Sequence, residues 1–273
     1  MNDVLSVVGK DDEAAPVVEN TQFAGVKNFF LEVSLLTEFT LQFFKQLFVP
    51  PYEFNELVKQ CYVVGYRSLP LVGLTGFIMG LVMTIQSRPS LAEFGAESWL
   101  PGMVALSIIR EIGPVITALI CAGKTGSSIG AELASMKVTQ QIDAMEVSGI
   151  NPFKYLVVTR VLATTLMIPL LVILSDAIAL WGAYFAVNIK GNVSFHLFIS
   201  QVVSSLDFSD VFPAFIKTIF FGFAVGLIGC FKGYTSDKGT EGVGISANAA
   251  VVTGSLVIFI IDMIAVQITS LFT

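Results

Sequence analysis

The stretch Arg110-Glu111-Ile112-Gly113-Pro114, continued by Ala122-Gly123-Lys124-Thr125-Gly126 and by Gln141-Ile142-Asp143-Ala144-Met145-Glu146-Val147-Ser148-Gly149-Ile150-Asn151-Pro152, decides the fold. It opens inside an apolar run, residues 103–122, long enough to cross a bilayer, which takes about 20 helical residues. It closes in a polar, amphipathic segment. A charged pair therefore sits where a membrane helix is expected, with a short polar helix after it. Charge within a bilayer is costly and is kept for packing or for function.

The whole chain has the same character. It is 54% hydrophobic and 13% charged, against about 25% charged in a soluble domain. Four further apolar runs reach spanning length: 63–85, 155–187, 214–231 and 249–272. The fold class is an all-α integral membrane protein with five transmembrane helices, and the runs leave no room for a second, soluble domain. The third run is longer than one crossing requires. It contains Pro169 and Asp176, so tilt or a kink is expected there.

Positive charge sets the orientation. Lys27, Lys45 and Lys59 precede the first run; Lys124, Lys137, Lys154 and Arg160 surround the connection between the second and third; Lys232 and Lys238 separate the fourth and fifth. Arg88, Lys190 and Lys217 fall on the other side. The bias predicts a cytoplasmic N-terminus and an outer C-terminus, as five crossings require. Residues 1–25 carry Asp3, Asp11, Asp12, Glu13 and Glu19 without apolar periodicity and read as a disordered acidic tail. No cleavable signal peptide is visible, because acids rather than bases precede the first apolar run.

Residues 26–50 have helical periodicity. Ser34, Glu38, Gln42 and Lys45 share one arc; Phe29, Phe30, Val33, Leu36, Phe43, Phe44 and Leu47 lie opposite, and Pro50 and Pro51 stop the helix. It is read as an amphipathic helix in the membrane interface, with core packing as the alternative. The permease domain proper then runs over 51–273. Within it, Gly76 and Gly80, Gly126 and Gly130, Gly222 and Gly226, and Gly229 and Gly233 recur at four-residue spacing. Such faces let helix backbones approach closely, in a tight bundle or across a dimer seam.

Arg110 and Glu111 are adjacent, so on a helix they diverge by about 100°. They cannot form a helical pair with each other, and each needs another partner or a wet cavity. A clamp between helices and contact with a lipid headgroup both fit. Pro114 lacks an N–H and breaks the bond to residue 110, which predicts a local distortion. Asp176 and Asp262 are the other acids in apolar runs; they suit ion relay, or hydrogen bonds to Ser, Thr or Trp of neighbouring helices. Residues 132–148 are polar and helical in pattern. They read as a connector or as a docking helix for a cytoplasmic partner, with Ile142 and Met145 expected to insert into it.

Several chemistries are excluded. Cys61, Cys121 and Cys230 have no metal or redox spacing, and His196 is the lone histidine. Gly123-Lys124-Thr125-Gly126 lacks the phosphate-loop pattern. No nucleophile–base constellation is present, and no basic patch points to nucleic acid. The chain itself is not expected to be an enzyme or to hold a cofactor.

The stretch from Val104 to Pro152 closely resembles the signature of the MlaE/YrbE permeases, the membrane subunits of bacterial lipid-handling ABC transporters. The resemblance continues through Arg160-Val161-Leu162-Ala163, Gly226-Leu227-Ile228-Gly229-Cys230-Phe231-Lys232-Gly233 and Gly242-Val243-Gly244-Ile245-Ser246-Ala247-Asn248-Ala249-Ala250-Val251. It implies an interfacial helix, five spans and a homodimer in the bacterial inner membrane. It also implies a separate cytoplasmic ATPase dimer that binds ATP and Mg, an MCE-domain protein on the outer side, and phospholipid as cargo. On this resemblance residues 138–148 match the coupling helix, with Val138, Gln141, Ile142, Asp143, Met145 and Glu146 facing the ATPase. Arg110 and Glu111 match the charged pair near the lipid cavity, whose mouth lies about Gln86, Phe94 and Trp99. The competing readings are an ion-coupled secondary transporter using Glu111, Asp176 or Asp262, and a structural anchor for an MCE assembly. A secondary transporter predicts inverted repeats, and the sequence shows none.

Overall fold

The computed structural model describes residues 21–50, 52–189, 191, 193–236 and 239–272. The acidic tail up to Glu19 lies outside the described residues. The chain divides into a unit ending at Gln42 and a unit beginning at Phe43. The first contains most of one helix, Thr21–Leu47, which starts within the stretch assigned to the tail and stops before Pro50.

Five helical stretches of the second unit are long and apolar enough to cross a membrane. Span 1 is Phe54–Glu93, span 2 Glu97–Val138, span 3 Phe153–Ile189, span 4 Phe208–Tyr234 and span 5 Gly239–Leu271. The protein is thus a multi-pass, all-α membrane protein. Most spans extend past the apolar runs because polar residues continue the helix: Glu56, Lys59 and Gln60 all lie on span 1 below the run that begins at residue 63.

Span 1 is divided. A helix over Phe54–Val64 gives way to a single tighter turn, Tyr66–Ser68, before Leu69–Glu93 resumes. Pro70 stands in the first turn of the second piece. It cannot donate to the residue four back, so the ladder is interrupted there. Span 2 carries wide, five-back turns at Ile108–Ile112 and Ala122–Gly126, and span 3 begins with another at Phe153–Val158.

The glycine pairs are seams within this chain. Gly80 lies against the carbonyl of Ala179 and Gly76 against Ser175, both on span 3. Gly222 and Gly226 face Thr164 and its neighbours, while Gly229 and Gly233 face the backbone of Gly126 and Gly130 on span 2. A methyl group at these positions would strike backbone, which explains the absent side chains. One core cluster draws on every span, with Val72, Ala118, Leu171, Phe221 and Ile258. A second joins Val104, Ile108 and Ala183 to Phe198 and Val202 of a crossing helix, Phe195–Ser204. Cys121 and Cys230 are buried packing residues.

Candidate functional site

The wide turn at Ile108–Ile112 follows from Pro114. With no proline N–H available, the ladder resets, and Gly113 donates five residues back to Ile108. The reset leaves Arg110 and Glu111 pointing to different neighbours. Arg110 Nη1 lies 3.4 Å from Asp210 Oδ1. Glu111 Oε2 accepts from Lys217 Nζ at 2.6 Å, and the same ammonium donates to Asp262 Oδ1 at 2.9 Å. Asp210 and Lys217 are seven residues apart on span 4, two turns along one face. Span 4 therefore presents an acid and a base to the base and acid of span 2, and span 5 supplies the third carboxylate.

Lys217 is buried, with 5% of its side chain exposed; Arg110 retains 36%. The space among these residues is about 10 Å³, roughly the minimum for a single water molecule. The geometry is that of a clamp joining spans 2, 4 and 5. Asp210 also accepts from the backbone N–H of Asp207, so the start of span 4 and the Arg110 contact are fixed together. Lys217, counted above among charges on the outer side, is a buried member of span 4. Asp262 has this lysine as its partner rather than a hydroxyl or an indole. Asp176 Oδ1 has no hydrogen-bond partner among the described residues; it lies against Gly113, where a side chain would collide with it.

Of the residues assigned to a cavity mouth, Trp99 lines a groove. That groove, about 590 Å³, lies between the start of span 2 and the crossing helix, with Gly102, Met103, Leu106, Gln201 and Ser205 on its walls. Gln86 and Phe94 are exposed outside it. Leu106 precedes Arg110 by four residues, so the groove and the clamp occupy successive turns of span 2.

At the other end of span 2, Val138 is the last residue of the helix begun at Ser127. Gln140 then adopts a left-handed conformation, φ 56°, and breaks the chain direction. The connecting helix is Gln141–Val147, so Val138 is not on it. Ile142 is buried, 2% exposed, and anchors the helix to its own chain. It cannot be the knob that its spacing suggested, and Met145 is half-buried. Gln141, Asp143, Glu146 and Val147 are exposed, Val147 at 92%. Lys137 pairs with Asp143 at 3.4 Å. Among the described residues no group of His, Cys, Asp and Glu is placed to hold a metal ion.

The model of the MlaE permease family matches residues 57–268. The chain belongs to that family. Its MlaE-type relatives include the intermembrane phospholipid transport system permease MlaE of Haemophilus influenzae, 38% identical over 79% of this chain and 83% of the relative. A probable ABC transporter permease of Rickettsia typhi is 35% identical over 88% of this chain and 93% of its own length. A probable ABC transporter permease of Synechocystis is 36% identical over 74% and 77%. The matched MlaE region contains the clamp, the groove and the connecting helix.

Proposed function

We propose that this chain is the non-catalytic membrane subunit of an ABC transporter that moves phospholipid between the bacterial inner membrane and an MCE-domain protein on the outer side. Two copies form the pathway, and a separate cytoplasmic ATPase dimer, holding ATP and Mg, drives it. The phospholipid cargo is carried over from the relative in Haemophilus influenzae. In this reading the connecting helix faces the cytoplasm, the N-terminal helix lies in the membrane interface, and the groove opens outward.

The observation that carries the proposal is the connecting helix. It is anchored through Ile142 and presents Val147 almost wholly to solvent beside Asp143 and Glu146. A plain connector has no use for a valine held outward on a braced helix. An ATPase working on a membrane pathway needs such a rigid contact, and an apolar side chain rimmed by charge is a typical docking element.

Val147→Asp separates docking from folding. In membranes co-expressing the cognate ATPase, it is expected to abolish co-purification of the ATPase while the permease keeps its yield and thermal midpoint. Ile142→Asp is expected to lower the midpoint itself. Wild-type ATPase recovery with Val147→Asp overturns the docking assignment.

A further inference from the structure

Three polar residues just after the connecting helix have no part in the clamp, the groove or the docking face. Asn151, Lys154 and Tyr155 stand at the start of span 3, around its wide turn at Phe153–Val158. They reach, in turn, the end of the N-terminal helix, the link after it and the first helix of span 1. Asn151 Nδ2 donates to Gln46 Oε1 at 3.3 Å. Lys154 Nζ donates to the carbonyl of Val49. The Tyr155 hydroxyl donates to Glu56 Oε2 at 3.2 Å.

These contacts differ from ordinary helix packing. Lys154 and Glu56 are buried polar residues, and burying such groups is favourable only when they are hydrogen-bonded. The Val49 carbonyl lies beyond the last helical residue, Leu47, and Pro50 and Pro51 can offer it no N–H. Lys154 supplies the missing donor. Asn151 also accepts from the Lys154 backbone N–H at 3.2 Å, which fixes the two together.

The position within span 1 gives these contacts a mechanical meaning. Above the break at Tyr66–Ser68, the span is locked to span 3 at Gly76 and Gly80. Below it, the segment Phe54–Val64 is a separate helix that packs on span 3 in its own right. Farther along span 3, Arg160 holds Glu132 of span 2 at 2.9 Å. The wide turn between Asn151 and Arg160 is a place where a helix changes register by one residue at low cost, and such turns gather at functional sites.

We infer that Asn151, Lys154 and Tyr155 form a transmission joint, which carries displacement of the connecting helix Gln141–Val147 to the Phe54–Val64 segment of span 1. The three are positioning residues, with no contact to cargo or nucleotide. The inference rests on the reading above that an ATPase moves the connecting helix.

The test uses the full permease–ATPase complex in proteoliposomes, carrying Lys154→Met with Tyr155→Phe. Lipid transfer is followed with a fluorescent phospholipid, alongside ATP hydrolysis, ATPase co-purification and thermal midpoint. The expected result is normal assembly and hydrolysis with about tenfold less lipid moved per ATP, the scale of a lost charge-assisted hydrogen bond. Lys154→Arg should restore the ratio. In the wild type, spin labels at Tyr62 and Phe94, both exposed, should change separation on ATP binding, and in the double variant they should not. Asn151→Ala, at an exposed contact, carries the same test if the double variant does not fold. A wild-type ratio of lipid to ATP overturns the joint. So does a loss of transport that merely tracks a fallen midpoint and is not restored by Lys154→Arg. Failure of the ATPase to associate with the unaltered permease would instead overturn the proposed function.

Discussion

Lys217 and Arg110 are both cations in one cluster, yet their energetic weights differ. Lys217 is buried between two carboxylates at 2.6 and 2.9 Å. Replacing it with Met would leave Glu111, 37% exposed, and Asp262, 20% exposed, without that cation. Removing one partner of a fully buried pair costs about 3–5 kcal/mol, because the other charge stays behind, and the exposure of the two carboxylates makes that an upper bound here. Lys217→Met should therefore sharply lower the thermal midpoint in detergent. Adding Glu111→Gln and Asp262→Asn should restore much of it, because the stranded charges are gone; an unchanged midpoint in the single variant would refute the clamp. Arg110 is more exposed and its contact is 3.4 Å long, so by the standard of exposed pairs it contributes at most about 1 kcal/mol. Arg110→Ala can therefore report on lipid with little effect on folding. If its guanidinium also meets a headgroup, bound phospholipid per folded protein should fall by about one to two decades, the effect of losing a charged hydrogen bond. Normal lipid content would restrict Arg110 to the scaffold.

At the scale of elements, the glycine seams decide how closely the spans lie. The backbones of spans 1 and 3 meet at Gly80 and Ala179, and those of spans 4 and 2 at Gly229 and Gly126. Gly80→Val would force a side chain into the Ala179 carbonyl. Overpacking of this kind costs about 1–3 kcal/mol, and more where backbone cannot yield. The expected result is a lower thermal midpoint and faster proteolysis, whereas Gly123→Val, at a position with open space, should have little effect on either. Equal behaviour of the two would remove the seam argument. The helix break in span 1 and the wide turn in span 2 belong to the same scale. Pro114 announced the second in the sequence. The first arises at Pro70, inside the apolar run 63–85 that reads as uninterrupted.

For the whole molecule, orientation is the property that links the two ends. With Lys217 withdrawn from the charges of the outer side, Arg88 and Lys190 alone remain there, and the bias toward a cytoplasmic connecting helix strengthens. A cysteine at Phe94 should react with a membrane-impermeant maleimide in intact cells, and one at Lys137 only after permeabilisation. Cys121 and Cys230 are buried and contribute little background. Labelling of Lys137→Cys from outside would reverse the topology and move the docking face away from any cytoplasmic ATPase. Span 3 is the most enclosed of the five and span 5 the least, so the apolar surface of span 5 is left for lipid or for a second copy.

The sequence by itself determined the membrane class, the five crossings, the distortion ahead of Pro114 and a short polar helix after span 2. Length, hydropathy and backbone chemistry fix these locally. Only the tertiary structure decided which face of each span turns inward. Lipid and protein core are both apolar, so a spanning helix lacks the polar–apolar stripe that marks the buried side of a soluble helix. That is why Lys217 read as a surface charge and closes the clamp; Ile142 lies on the polar connecting helix, where its burial against its own chain depends on tertiary packing. The partners of Arg110 and Glu111 lie about 100 residues away along the chain, beyond any local spacing rule, and become visible only when spans 2, 4 and 5 are packed together.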